Sequence, residues 1–179
     1  MPDYDVLTYE PPENVYGILA APPCTEFSSA KNGRGPRDIS GAIQIVKACL
    51  KIIWFCQLQG NLKFWALENP KASSSPCPLS KFLGHPHYCF EQWQFGGTAK
   101  KATNIWGFFK DPVSTVDLAP EVFETMGSKH SENMHYKHPK TPEWCKEYIH
   151  SISGATARRA AIRAITPPGF AQAFFKANQ

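Results

Sequence analysis

The feature that most constrains the fold is an apolar run that two prolines stop. Val15 to Ala21 reads Val-Tyr-Gly-Ile-Leu-Ala-Ala, and Pro22-Pro23 follows directly. Such a run is typical of a strand that is buried on both faces, as in a parallel sheet. Because prolines end the strand and stiffen the loop, the next residue, Cys24, is predicted to be presented at the strand end.

A helix and a second strand complete the pattern. Asp38-Ile39-Ser40 opens a segment with apolar residues at helical spacing, and Gly60-Asn61 closes it. Phe64 to Leu67 is a second short apolar strand, which Glu68-Asn69-Pro70 ends. Strand, crossover helix and strand form a βαβ unit, so the sequence predicts an α/β fold with a Rossmann-like sheet.

The rest of the chain is less regular. Lys71 to Pro86 reads as a loop, and the aromatic residues Trp54, Phe55, Phe64, Trp65 and Trp106 are predicted to lie in the core. Two more strands are expected over Tyr88–Phe95 and Asn104–Phe109, and helices over Pro142–His150, Ala155–Ala164 and Phe170–Ala177. The expected organisation is a sheet region at 1–110, an irregular region at 111–154 and C-terminal helices at 155–179 that pack back on the sheet.

Composition and charge limit which partners and which cellular compartment we expect for the chain. The 179 residues carry a formal net charge of +4, which permits a nucleic-acid partner without requiring one. No run approaches the ~18 apolar residues of a membrane helix, since Gln44, Lys47 and Lys51 interrupt the longest candidate. No signal peptide is visible, so the six cysteines are expected to be reduced thiols in a cytoplasm. No membrane partner is expected.

Two strand ends carry residues that could do chemistry. Cys24 follows the first strand and Glu68 follows the second, with 68 − 24 = 44 positions between them. In an open α/β sheet, ligands bind beyond the carboxyl ends of the strands. A thiol and a carboxyl group are therefore expected at neighbouring strand ends.

These motifs resemble the DNA cytosine-5 methyltransferase family. Pro22-Pro23-Cys24 after one strand and Glu68-Asn69-Pro70 after the next are similar to that family's two catalytic segments. Thr98 to Phe108, which contains Lys100-Lys101 and Trp106-Gly107, is similar to the basic segment before a Trp-Gly strand in phage-type and mobile-element members. Arg163 to Phe175 resembles their closing helix, so the similarity spans about Val6 to Phe175.

The resemblance implies a methyl transfer from S-adenosylmethionine to C5 of a flipped cytosine in DNA, in phage or restriction–modification biology. Cys24 would be the nucleophile that adds to C6, and Glu68 would hold the base edge. No metal is implied. The implied substrate-binding residues are Pro23, Asn69, Pro70, Lys100, Lys101 and Thr103, and the implied cofactor contacts are Pro22 and Phe170.

One family element has no counterpart in the sequence. Members open with a strand and a Gly-rich turn that holds the cofactor, and neither Phe95-Gly96-Gly97 nor Ser153-Gly154-Ala155 follows a strand and opens a helix. The strand at Val15 would then be a bare apolar edge. We expect a homodimer, a second polypeptide that carries the missing half, or a rearranged N-terminal segment to cover it.

Other interpretations stay open. The chain could be a methyltransferase-derived module that binds DNA or protein without catalysis, in phage defence or counter-defence. It could also be the remnant of a decayed gene. His85, His87 and Cys89, with Cys77 upstream, could suggest zinc, but their spacing fits no common zinc pattern.

Overall fold

The computed structural model describes residues 5–28, 35–71, 78–97, 101–119, 121 and 141–179. It divides into two compact units. Unit 1 comprises Met1–Cys89, Ala102–Phe109 and Asn178, and unit 2 comprises Phe90–Lys101, Lys110–Ala177 and Gln179. The division expected at residues 110 and 154 stays a prediction, because much of the irregular region lies outside the described residues.

A four-stranded mixed sheet organises the α/β fold. Its strands are β1 (Gly17–Ala20), β2 (Phe64–Pro70), β3 (Tyr88–Glu91) and β4 (Ala102–Phe108), in the spatial order β1-β2-β4-β3. β1 runs parallel to β2, with Gly17 opposite Phe64 and Ala20 opposite Leu67. β2 runs antiparallel to β4. The parallel pair with a helix between its strands confirms the βαβ pattern.

Helix α1 (Ile39–Leu58) joins β1 to β2. Asp38 caps its start, because the carboxylate oxygen accepts a 2.8 Å hydrogen bond from the backbone N–H of Gly41. The expected helix between Asp38 and Gly60 is thus confirmed. Among the described residues, α1 is the helix whose length and apolar composition would suffice to cross a membrane, which by itself is weak support for a span.

The core of unit 1 lies between α1 and one face of the sheet. The fully buried members of this cluster are Phe27, Val46, Leu67, Leu79 and Trp106. The indole N–H of Trp106 donates a 3.0 Å hydrogen bond to the carbonyl of Gly84, just after the one-turn helix α2 (Ser80–Leu83). The position of Trp106 in the core is as expected from the sequence.

Unit 2 is held by stacked aromatic rings. After β3 the chain forms a short 3-10 helix, Gln92–Phe95, and the later helices are α3 (Glu143–Ser151), α4 (Ala155–Ala164) and α5 (Pro168–Ala177). The ring of Phe170 lies parallel to that of Phe90 at 4.4 Å and edge-on to Phe95 at 5.1 Å. These contacts account for the burial of Phe170 in unit 2.

Several expectations are corrected. β2 does not stop at Leu67 but continues through Pro70, because β4 pairs with it as far as Thr103. The expected strand over Tyr88–Phe95 ends at Glu91, where the 3-10 helix begins. The loop expected over Lys71–Pro86 contains the single helical turn α2.

Three predicted burials are wrong as well. Leu19 is 72% exposed, and its strand β1 lies at the edge of the sheet that the described residues form. Trp54 and Phe55 are 68% and 50% exposed, since they project from the side of α1 opposite the buried Val46, Ile53 and Cys56. Phe64 and Trp65 are half-buried, in partial agreement with their assignment to the core.

Candidate functional site

One hydrogen bond joins the two segments that the sequence singled out. The side-chain amide of Asn69 donates a 3.2 Å bond to the backbone carbonyl of Pro22. Asn69 is completely buried. Because β1 and β2 are parallel, their carboxyl ends lie at the same edge of the sheet, and this bond fixes the Pro22-Pro23-Cys24 segment beside Glu68-Asn69-Pro70.

Cys24 begins a tight turn at that edge. Its carbonyl accepts backbone N–H bonds from Phe27 at 3.0 Å and from Ser28 at 2.8 Å. Phe27 anchors the turn, because its side chain is fully buried in the core of unit 1. The Cys24 thiol is half-buried and not part of a disulfide. Backbone hydrogen bonds and the buried Phe27 therefore position a partly accessible Cys24.

Arg37 reinforces the same loop, and the sequence reasoning missed it. Its guanidinium donates to the carbonyls of Glu26 and Ser28, the second at 2.9 Å. The carboxylate of Glu26 in turn accepts the backbone N–H of Asp38 at 2.9 Å. The loop that carries Cys24 is thereby tied to the start of α1. The one sequence signal near this connection is Asp38, the residue after Arg37, which is recognisable as a helix cap.

Glu68 lies in a strand rather than after one. It stands opposite Ile105 in the β2–β4 ladder and is half-buried. Two residues further along β2, Pro70 stands opposite Thr103, which is 1% exposed. Within the described part of the chain, Asn69 Oδ1 and Thr103 Oγ1 are buried without a hydrogen-bond partner. This end of β2 therefore keeps unused polar groups close to Glu68.

The remaining predicted site residues that the structure describes are divided between unit 1 and unit 2. Pro23 is exposed beside Cys24, and Pro22 is buried. Lys101 belongs to unit 2, where its carbonyl accepts a 3.1 Å bond from the Gln92 N–H. Phe170 also belongs to unit 2. Lys100 lies outside the described residues.

Pro22 and Phe170, the two residues expected to contact S-adenosylmethionine, belong to unit 1 and unit 2 respectively. The carbonyl of Pro22 already accepts the Asn69 amide, and proline has no N–H to offer. One face of the Phe170 ring is stacked on Phe90, and the residue is 9% exposed. The assignment of Pro22 and Phe170 to the cofactor stays a prediction.

Other cysteines and histidines form no second chemical centre in the described ranges. Burial raises the pKa of the Cys49 thiol, although a backbone hydrogen bond opposes this, and burial also raises the pKa of Cys56. No group of three or more potential metal ligands occurs among the described residues. Cys77, one of the residues considered for zinc, lies outside them.

A shallow recess of about 360 Å³ lies at the other end of β2. Sequence reasoning did not find it, because its walls come from distant segments that meet only through the β2–β4 register. Its two tryptophans belong to β2 and β4, and its two histidines lie in the loop between α2 and β3. The recess is lined by Trp65, Leu83, His85, His87, Trp106 and Gly107.

The fold and site together define a mixed α/β protein with a loop thiol and a strand carboxylate at one sheet edge. No protein-family model matches the chain, and no curated protein matches it at a significant level.

Proposed function

We propose that the protein is the base-binding half of a DNA cytosine-5 methyltransferase, with a Rossmann-like sheet and DNA as its substrate. The observation that carries the proposal is the bond between Asn69 Nδ2 and the Pro22 carbonyl. It holds together the two motifs that resemble the family's catalytic segments. Two motifs that resembled the family only by coincidence would not need to be in contact.

Cys24 acts as the nucleophile. Its thiolate forms a bond to C6 of a cytosine that has left the duplex, and the electrons of the C5–C6 double bond move toward C5. Glu68 holds N3 and supplies the proton that the ring needs as this charge develops. C5 then takes up a proton from water or, in the complete enzyme, the methyl group. When the original hydron leaves C5, the double bond re-forms, the thiolate is expelled and N3 returns its proton to Glu68, so the enzyme is regenerated.

A second polypeptide or a second copy completes the enzyme. Within the described residues β1 pairs with β2 alone, so its outer edge offers backbone groups to another strand. We assign the binding of S-adenosylmethionine to that addition, where the cofactor supplies the methyl group. The assembled enzyme would act on DNA in the cytoplasm of a bacterium or of a phage-infected host.

The test uses the half-reaction of this chain. Addition of Cys24 to C6 lets C5 take up a proton, so duplex DNA tritiated at C5 of cytosine should release tritium to water. Cys24→Ser should abolish the release, because the alkoxide needed is scarce at neutral pH. Cys145→Ser, a half-buried cysteine in unit 2, is the matched control and should release tritium at the normal rate.

A second assay separates the half-reaction from the complete one. With S-adenosylmethionine and DNA that contains 5-fluorocytosine, a covalent adduct forms only where methyl transfer also occurs. Tritium release without an adduct is the expected result for the chain alone. Release that survives Cys24→Ser, or no release at saturating DNA, would contradict the proposal.

A further inference from the structure

The outer side of α1 carries an exposed stripe of five residues at helical spacing. Residues at i, i+4, i+7, i+8 and i+11 fall on one face of a helix. The three apolar members are 68%, 50% and 75% exposed, in chain order. We call this surface the α1 stripe, and its residues are Lys47, Lys51, Trp54, Phe55 and Leu58.

The α1 stripe combines apolar area with charge of one sign. Trp54, Phe55 and Leu58 form a contiguous apolar patch at the C-terminal end, and Lys47 and Lys51 continue it toward the N-terminus. α1 contains no Asp or Glu. Soluble proteins seldom expose several large apolar side chains next to one another. A group of this kind therefore marks an interaction surface.

We infer that the α1 stripe binds a different polypeptide, through a helix that has an apolar face bordered by carboxylates. Trp54, Phe55 and Leu58 would pack against the apolar face, and the carboxylates would pair with Lys47 and Lys51. The inference rests on the proposed function only in identifying this polypeptide with the one that completes the enzyme.

The charges argue against a second copy of α1 as the occupant. Two copies would bring together two lysines each, four in all, and α1 has no carboxylate to offset them. Like charges that face each other across an interface are unfavourable. The apolar end of the stripe also argues against DNA, whose phosphates would contact the lysines but leave three large side chains exposed.

The probe is a labelled synthetic amphipathic helix of about 18 residues, long enough to be helical when bound. One version has a leucine face bordered by glutamates, and its counterpart has lysines in place of the glutamates. By fluorescence anisotropy, the full chain should bind the glutamate peptide about tenfold more tightly than the lysine peptide. The double variant Lys47→Glu/Lys51→Glu should reverse this preference.

Controls separate the stripe from general charge effects. Lys81→Glu changes an exposed lysine on α2 and should leave the preference unchanged. Leu58→Ser should weaken binding of the glutamate peptide severalfold without altering thermal unfolding, because Leu58 is 75% exposed. A preference that Lys81→Glu also reverses, or equal binding of both peptides, would overturn the inference.

Two further outcomes would name another occupant and overturn the inference. One is a dimer in sedimentation equilibrium that Leu58→Asp dissociates. The other is cosedimentation with phosphatidylglycerol vesicles that Lys47→Glu/Lys51→Glu abolishes. Neither readout involves methylation, so loss of peptide binding with normal tritium release refutes the docking surface alone. Normal peptide binding without tritium release refutes the proposed function alone.

Discussion

Asn69 is the residue on which the candidate site most depends. It is fully buried, and its amide bridges to the Pro22 carbonyl. Asn69→Ala removes the donor and leaves that carbonyl without its partner, so we expect a loss of about 1–3 kcal/mol in the free energy of unfolding. Urea denaturation measures this loss.

A matched asparagine provides the control. Asn61 donates a 2.7 Å side-chain bond to Asn14, but this pair is exposed. Water replaces the lost partner there, so Asn61→Ala should cost less than about 0.5 kcal/mol. Equal losses for the two variants would mean that the Asn69 bridge does not hold the two segments together.

The thiols of Cys49 and Cys56 predict how stability changes with pH. The pKa values of Cys49 and Cys56 are raised by burial, so each thiol stays protonated in the folded chain when its unfolded counterpart ionises. This contribution is complete below the unfolded thiol pKa of about 8.5 and is lost as the pH rises through the folded values. The urea midpoint should therefore fall between about pH 7 and pH 9.5.

The variant Cys49→Ala/Cys56→Ala isolates these thiols. It should be less stable than the wild type at neutral pH, because it loses buried volume. Its further loss at alkaline pH should be smaller, since the two groups that drive the change are gone. A wild-type midpoint that rises with pH over this range would contradict the assignment.

At the scale of elements, the close approach of β2 and β4 is set by Gly107. A Cβ at this position would lie 2.1 Å from the backbone carbonyl oxygen of Trp65. Backbone cannot move aside as a flexible side chain can, so Gly107→Ala should destabilise the chain by about 2–4 kcal/mol. Thermal or urea unfolding checks this value.

Gly60 is the corresponding control after α1. It has a φ of +81° with no atom within 4 Å of an added Cβ, so only the backbone conformation opposes a side chain there. Gly60→Ala should cost about 1 kcal/mol. If Gly107→Ala lowered the free energy of unfolding no more than Gly60→Ala does, the inferred close approach of β2 and β4 at Gly107 would be contradicted.

The elements also show what the sequence could predict. The helix α1 was predictable because its cap, Asp38, and its terminating Gly60 are local signals. The length of β2 was not, because its last residues are held by β4, and the strand's own sequence contains Glu68-Asn69-Pro70, which reads as a turn. Pairing with a distant strand overrides local propensity.

The candidate site divides in the same way. The sequence predicted that the segments of Cys24 and Glu68 share one sheet edge, because parallel strands have their carboxyl ends together. It could not predict Arg37, whose guanidinium reaches carbonyls nine and eleven positions earlier in the chain. The sequence also led to a wrong prediction of burial for Trp54 and Phe55. Their burial depends on which side of α1 packs against the sheet, and the spacing of apolar residues along the chain does not reveal that side.

At the scale of the whole molecule, β1 exposes an apolar side chain and, within the described residues, forms an edge of the sheet. Leu19 is 72% exposed, and edges of this kind promote association between chains. Leu19→Lys should reduce light scattering in concentrated solution, with an unfolding free energy within about 0.5 kcal/mol of the wild type. Ala20 is half-buried in the core cluster, so Ala20→Lys should instead destabilise the chain.

The short β1 has a consequence for the timing of local opening. It has four residues and one ladder partner in the described chain, whereas β2 is paired on both sides. In hydrogen exchange, the β1 amides should lose protection before those of β2, through an opening that leaves the β2–β4 ladder intact. Cys24 follows β1 by four residues, so its loop is tethered to the least protected strand of the parallel pair. A partner that pairs with β1 would slow hydrogen exchange of the β1 amides, and the same pairing would restrict the motion of Cys24.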